Sequence, residues 1–161
     1  MSDRTTSSIE RRHASTTVQA TVEQCYAVGV DVGSYPTWID SLSLVEVESA
    51  DGDGKPQRVR FEASGLGRRS SYVLAYDLSD GPAAIGWTLV TGDLARAIEG
   101  AYRFTDATEE GGLPETTVDY ELSIDLAVPL PGFVKRRAED KIMEAALRRF
   151  KMEVERLAVG E

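Results

Sequence analysis

The chain has 161 residues but only one cysteine, one histidine and no asparagine. Cys25 alone cannot form an internal disulfide, and without asparagine there is no acceptor for an N-linked glycan. A single histidine, His13, leaves no basis for a His-rich metal site or a Ser-His-Asp triad, so no metal and no cofactor is expected. His13 itself reads as a surface or strand-edge residue, and Cys25 as a core thiol on the buried side of a short helix. No window approaches the roughly 18 uninterrupted apolar residues of a membrane span, so stable membrane insertion is not expected and any membrane contact would be transient. The amino terminus, MSDRTTSSIERRHASTT, lacks an apolar signal core, which makes the cytoplasm the expected compartment. Positive charge is also in short supply: 18 Lys and Arg stand against 27 Asp and Glu, for a net charge of −9. Phosphate binding needs a basic surface, so a nucleic-acid partner is excluded.

What is present begins with the last long stretch, Pro131 to Ala158. Val134, Ala138, Ile142, Ala145, Ala146, Phe150, Val154 and Leu157 recur at three- and four-residue steps, the spacing that predicts one apolar face of a helix. Pro131 and Gly132 open this run and Gly160 follows it, in keeping with helix start and stop signals. Its other face is charged and reads as solvated, with short-range ion pairs. Residues 131–161 carry eight Lys/Arg and six Asp/Glu, so nearly all the excess acid lies in the rest of the chain.

Before that helix the pattern is mostly period two. Residues 1–10 read as a flexible tail and 11–160 as a single domain, the size at which roughly two thirds of the unfolded surface can be buried. A first strand is expected over Arg11–Gln19, then a short helix over Val22–Val28 capped by Thr21, then a compact apolar knot at Asp31–Asp40 built on Tyr35, Trp38 and Ile39. From Leu42 a meander of six strands follows, separated by Asp51–Gly54, Gly65–Arg68, Asp80–Pro82, Gly92-Asp93 and the loop 106–114. Alternation places Val59, Phe61 and Ala63 on one face, then Tyr72, Leu74, Tyr76 and Leu78, then Ile85, Trp87 and Leu89. Further along it places Ile98, Gly100, Tyr102 and Phe104, and finally Val118, Tyr120, Leu122, Ile124 and Leu126. The connections are too short for crossover helices, so these strands are antiparallel neighbours.

Such a sheet needs a cover for its dry face, and only the terminal helix is large enough. The expected class is α+β: a curved seven-stranded antiparallel sheet wrapped around a long C-terminal helix, with two short helices between strands 1 and 2. Long strands twist and curl, so a sheet this wide has more inner surface than one helix fills, and a cavity is expected between them. Four of the six tyrosines fall on the inward register, with Trp87 beside them. Mostly apolar walls with a few directed polar groups suit a small-molecule site. The candidate ligand-binding residues are Tyr35, Trp38, Phe61, Tyr72, Tyr76, Trp87, Tyr102, Tyr120, Phe133 and Ile142.

The element order, together with YPTW at Tyr35–Trp38 and VPLPGF at Val128–Phe133, resembles the START-like superfamily (SRPBCC, helix-grip fold), and within it the bacterial polyketide cyclase/dehydrase and lipid transport group. The resemblance covers about residues 12–158. It implies binding or transport of a hydrophobic small molecule, such as a lipid, fatty acid, polyketide or isoprenoid-like compound, between sheet and helix, in a monomer or homodimer. Its alternative is a cyclase or dehydratase using Tyr or carboxylate acid–base chemistry, with Tyr72, Tyr76 and Tyr102 as candidates. One departure favours the non-catalytic reading. Where aromatic polyketide cyclases place inward arginines on two middle strands, this chain has Tyr76 and Leu89.

Overall fold

In the computed structural model, which describes residues 11–65, 67–127 and 131–160, the alternating stretches become seven strands of one sheet. They are β1 (Arg12–Val18), β2 (Leu42–Ala50), β3 (Pro56–Gly65), β4 (Arg68–Asp77), β5 (Ala84–Gly92), β6 (Ala95–Asp106) and β7 (Thr116–Leu126). Their spatial order is β1-β7-β6-β5-β4-β3-β2, and every neighbouring pair is antiparallel. The six-strand meander is therefore as expected. The first strand leaves it to pair with the last, setting Ala14 opposite Tyr120 and Thr16 opposite Val118.

Between β1 and β2 lie helix α1 (Val22–Val30) and a 3-10 helix (Val32–Thr37) that contains Pro36. Thr21 caps α1, and Gln24 returns a hydrogen bond to the Thr21 amide, so two otherwise unpaired backbone groups are satisfied reciprocally. The terminal helix, α2, spans Gly132–Val159, with Pro131 before it and Gly160 after. The whole is the α+β helix-grip arrangement. The tail expected over 1–10, and Val128, Pro129 and Leu130 of the proline-led motif, lie outside the described residues.

The helix face differs from the expected one in its rotation. The buried stripe is Glu139, Met143, Leu147, Phe150 and Val154, while Ile142 and Leu157 are 44% and 42% exposed. At 100° per residue Ile142 stands about 80° from Phe150 around the axis, on the flank of the stripe. The three- and four-residue steps permit both paths, and burial follows the one that carries the larger side chains toward β1, β7 and α1, on which α2 packs. Glu139, on the sequence a member of the charged face, is buried. Polar ties fix the seat of α2. Lys151 Nζ donates to the Thr17 carbonyl at 2.6 Å, the Gln19 amide donates to Glu155 at 2.9 Å, and Arg12 pairs with Asp140.

The core falls into two parts. The larger joins β1, β5, β6, β7, α1 and α2 around Phe150, Ile85, Phe104, Val118 and Tyr120. The smaller gathers Val32, Val59, Phe61 and Leu74 beneath β3 and β4.

Candidate functional site

The ladder registers carry the inward residues into rows. Phe61 faces Tyr72, Tyr76 faces Trp87, Trp87 faces Gly100, and Tyr102 faces Tyr120. Gly100 has a specific use: a Cβ there would stand 2.5 Å from the Trp87 indole, so its absence lets that ring lie flat across β6. Trp87 then meets Tyr102 at 5.4 Å, Tyr120 at 6.0 Å and Tyr76 at 6.2 Å between ring centroids.

From these contacts an aromatic shell develops. Tyr102 stacks on Tyr120 at 4.8 Å and on Phe150 of α2 at 5.0 Å, and Phe150 reaches Trp38. Trp38 meets Tyr35 edge-on at 5.1 Å, and Tyr35 continues through Phe61 to Tyr72. Eight of the ten residues singled out from the sequence thus lie in one connected set. Phe133 and Ile142 do not join it. Phe133 sits at the start of α2, 62% exposed, and Ile142 lies on the flank described above.

The shell has two halves. Around Tyr102, Tyr120, Trp38 and Phe150 the rings are buried and in contact with one another. Around Tyr72, Tyr76, Trp87, Leu89, Ile98 and Ile124 the inward side chains are only partly buried.

The polar atoms of the shell are its chemistry. Burial pushes the phenols of Tyr35, Tyr76, Tyr102 and Tyr120 well above their ordinary range, and that of Tyr72 up to about 12. All five are neutral phenols at physiological pH, able to donate a hydrogen bond and unsuited to act as bases. Tyr35 donates its hydroxyl proton to the Gly29 carbonyl and lies beside the Tyr76 hydroxyl. The hydroxyls of Tyr72, Tyr102 and Tyr120 have no hydrogen-bond partner among the described residues, and neither has the fully buried indole N–H of Trp38. Of these four polar atoms only the Trp38 N–H is fully buried, where an unpaired donor costs about 1–3 kcal/mol; the three hydroxyls keep some accessible surface. Sequence reading finds the tyrosines through their register. It misses the unpaired state of Trp38, which depends on where the 3-10 helix sets the indole.

Cys25 and His13 take ordinary structural roles: Cys25 is buried, its thiol pushed up to about 11 by desolvation, and His13 is exposed beside Asp119 at 3.1 Å. Among the described residues no three His, Cys, Asp or Glu side chains converge to hold a metal ion, and no helix is long and apolar enough to cross a membrane. Two spaces, each of about 400 Å³, open outside the aromatic shell, and neither is the cavity expected between the sheet and α2. One lies between β5 and β6, the other in a groove between α1 and the end of α2 that includes Ala27, Asp31, Glu153 and Leu157.

Comparison with known proteins agrees with this architecture. A START superfamily protein from Mycobacterium smegmatis superposes with a TM-score of 0.82 at 19% identity, over 91% of this chain and 98% of that one. The Zhui aromatase/cyclase from Streptomyces gives 0.75 at 17% identity, over 92% and 94%, and a protein from Thermus thermophilus gives 0.73 at 21%, over 94% and 100%. At these identities the likeness is one of fold. No curated protein matches the chain in sequence. The family model described as polyketide cyclase/dehydrase and lipid transport matches residues 11–155, and with nearly all the described residues inside that match, the chain belongs to this family.

Proposed function

We propose that this protein binds and carries a hydrophobic small molecule bearing an uncharged hydrogen-bond acceptor, such as a carbonyl, between the sheet and α2. The observation that supports this reading is the set of unpaired donors, Tyr72, Tyr102, Tyr120 and the Trp38 indole, inside an otherwise aromatic shell. An apolar guest gains about 25 cal/mol for each Å² it buries, and those donors fix its polar end. The electrostatic neighbours of the hydroxyls are other tyrosines and Asp31, with no cation among them, so a neutral acceptor suits the site better than a carboxylate. The lipid, polyketide and isoprenoid classes all include such molecules.

Native mass spectrometry tests the reading. The delipidated protein, incubated with an extract of neutral lipids and polyketides, is expected to retain a discrete adduct, and Tyr120→Phe to retain less of it. An unmodified mass across all fractions contradicts the proposal.

A second reading, a cyclase or dehydratase, draws on the family's description and on the likeness to an aromatase/cyclase. Its best-placed acid is Tyr72, whose phenol is pushed up only to about 12 and which borders the partly buried half. Turnover of a bound polyketide that disappears in Tyr72→Phe with binding intact would favour this reading.

A further inference from the structure

The β5–β6 hairpin does not pair along its whole length. Its ladder runs from Ala84↔Arg103 to Thr88↔Glu99 and stops there, although β5 continues to Gly92 and β6 begins at Ala95. Beyond Thr88 each strand keeps only its outer neighbour: Leu89 and Thr91 pair with β4, while Ala95, Ala97 and Ile98 pair with β7. The hairpin closes again at its tip, where a Cβ on Gly92 would come within 3.3 Å of the Ala95 carbonyl. The result is a window between two strands, closed at both ends and about three residues, roughly 10 Å, long.

Two bulges account for the parting. The register shift between Val73 and Leu74 leaves Val90 as an extra residue on β5, and the shift between Ala95 and Ala97 leaves Arg96 as an extra residue on β6. A bulge bends and twists its strand, and one on each arm of the hairpin, next to the unpaired stretch, bends the arms away from each other.

The window holds a space of about 400 Å³ bounded by residues of both faces of the sheet. Thr88, Glu99 and Ser123 belong to the outer register, with Arg11 bonded to Glu99 at their rim. Leu89 and Ile98 belong to the inner face, where they pack on the Val59, Phe61 and Leu74 cluster beside Tyr72 and Trp87. Through Leu89 and Ile98 the space borders the partly buried half of the aromatic shell, although among the described residues no ring itself lines it. Tyr72, one of the unpaired donors, stands directly across from Gly92 at the hairpin tip.

We infer that this window is the route by which the hydrophobic guest enters and leaves. The inference rests on the carrier reading above and adds the path and the shape of the guest. A slot between two strands of one sheet favours a slender chain, alkyl or polyene, over a broad fused-ring system.

The test uses the 161-residue chain and the neutral fluorescent polyene all-trans-retinol. Ala97 lines the window, and Ala97→Trp places an indole in it. An obstructed door slows entry and exit alike, so stopped-flow association is expected to fall about tenfold or more while the equilibrium Kd moves by less than about threefold. Leu157→Trp, in the groove between α1 and α2, is expected to change neither. If circular dichroism shows that Ala97→Trp does not fold, Ala97→Leu takes its place with a smaller slowing in the same direction. Binding at an unchanged rate in a folded Ala97 variant overturns the window alone, as does a slowing produced by Leu157→Trp instead. Failure of the unaltered protein to bind the probe overturns the carrier reading, and the window with it.

Discussion

Two halves of one inner sheet face, written in the same alternating code, end in different states. On the half around Phe150, the inward residues Tyr102, Phe104, Val118 and Tyr120 are buried. On the other half, the equally regular Tyr72, Tyr76, Trp87, Leu89, Ile98 and Ile124 keep accessible surface, although Leu74 and Ile85 on the same strands β4 and β5 are buried. Strand sequence does not separate them; the cover does. Helix α2 lies over β1 and β7 beside α1, and its large side chains reach only the first half. Closure on one side and partial exposure on the other follow from where a single rod rests on a broad curved surface.

The comparison can be broken most sharply by truncation. Phe150→Ala removes the ring on which Trp38, Tyr102 and Phe104 converge and is expected to cost about 3–5 kcal/mol in urea unfolding. Tyr72→Ala, on the open side, is expected to cost less than half of that and to weaken probe binding more than Phe150→Leu does. Equal losses of stability would dissolve the distinction between the halves.

Gly100→Ala probes the boundary between them. The added Cβ displaces the Trp87 indole, with an expected loss of about 1–3 kcal/mol and a shifted tryptophan emission. Unchanged emission would mean that Trp87 does not lie across β6.

Alkali should act through the same rings. Five phenols have pKa values raised by burial above the ordinary 10, so the folded chain holds protons that the unfolded chain releases. Stability from this source is complete below pH 10 and declines as pH climbs from 10 through about 12, where Tyr72 ionises. Tyrosinate absorbance is expected to appear together with loss of the circular dichroism signal. Ionisation of all five phenols in the folded protein would contradict their burial.

Smaller effects sharpen the picture. Tyr35→Phe breaks the hydrogen bond to Gly29 and is expected to cost about 1 kcal/mol, whereas Tyr120→Phe removes a hydroxyl without a protein partner and is expected to be nearly neutral for stability. Ile142→Ser, on the flank of α2, should stay within about 0.5 kcal/mol.

Much of this architecture is legible in the residues alone. The expected span of the last strand, Thr116 to Leu126, coincides with β7 because eleven residues of strict alternation leave no competing register. Pro131 and Gly160 bound the long helix to within a residue. Its rotation is not legible, since Ile142 and Met143 are neighbours in sequence and period alone does not choose between two adjacent stripes. The pairing of β1 with β7 joins opposite ends of the chain, which local patterns do not encode. The window is beyond reach for a related reason: Val90 and Arg96 look like ordinary strand residues, and only the registers against β4 and β7 mark them as bulges. The tyrosines are visible by parity, but their lack of partners is not.

The central claim, that the partly buried aromatic half and its unpaired donors receive an apolar guest, is tested most directly by the two indole N–H resonances of the protein, those of Trp38 and Trp87. On saturation with a neutral, acceptor-bearing polyene, both signals are expected to move, the Trp38 signal downfield as its N–H gains a partner, while amides of Ala27 and Leu157 in the other groove stay in place. Movement confined to that groove, with both indoles unchanged, would contradict the account.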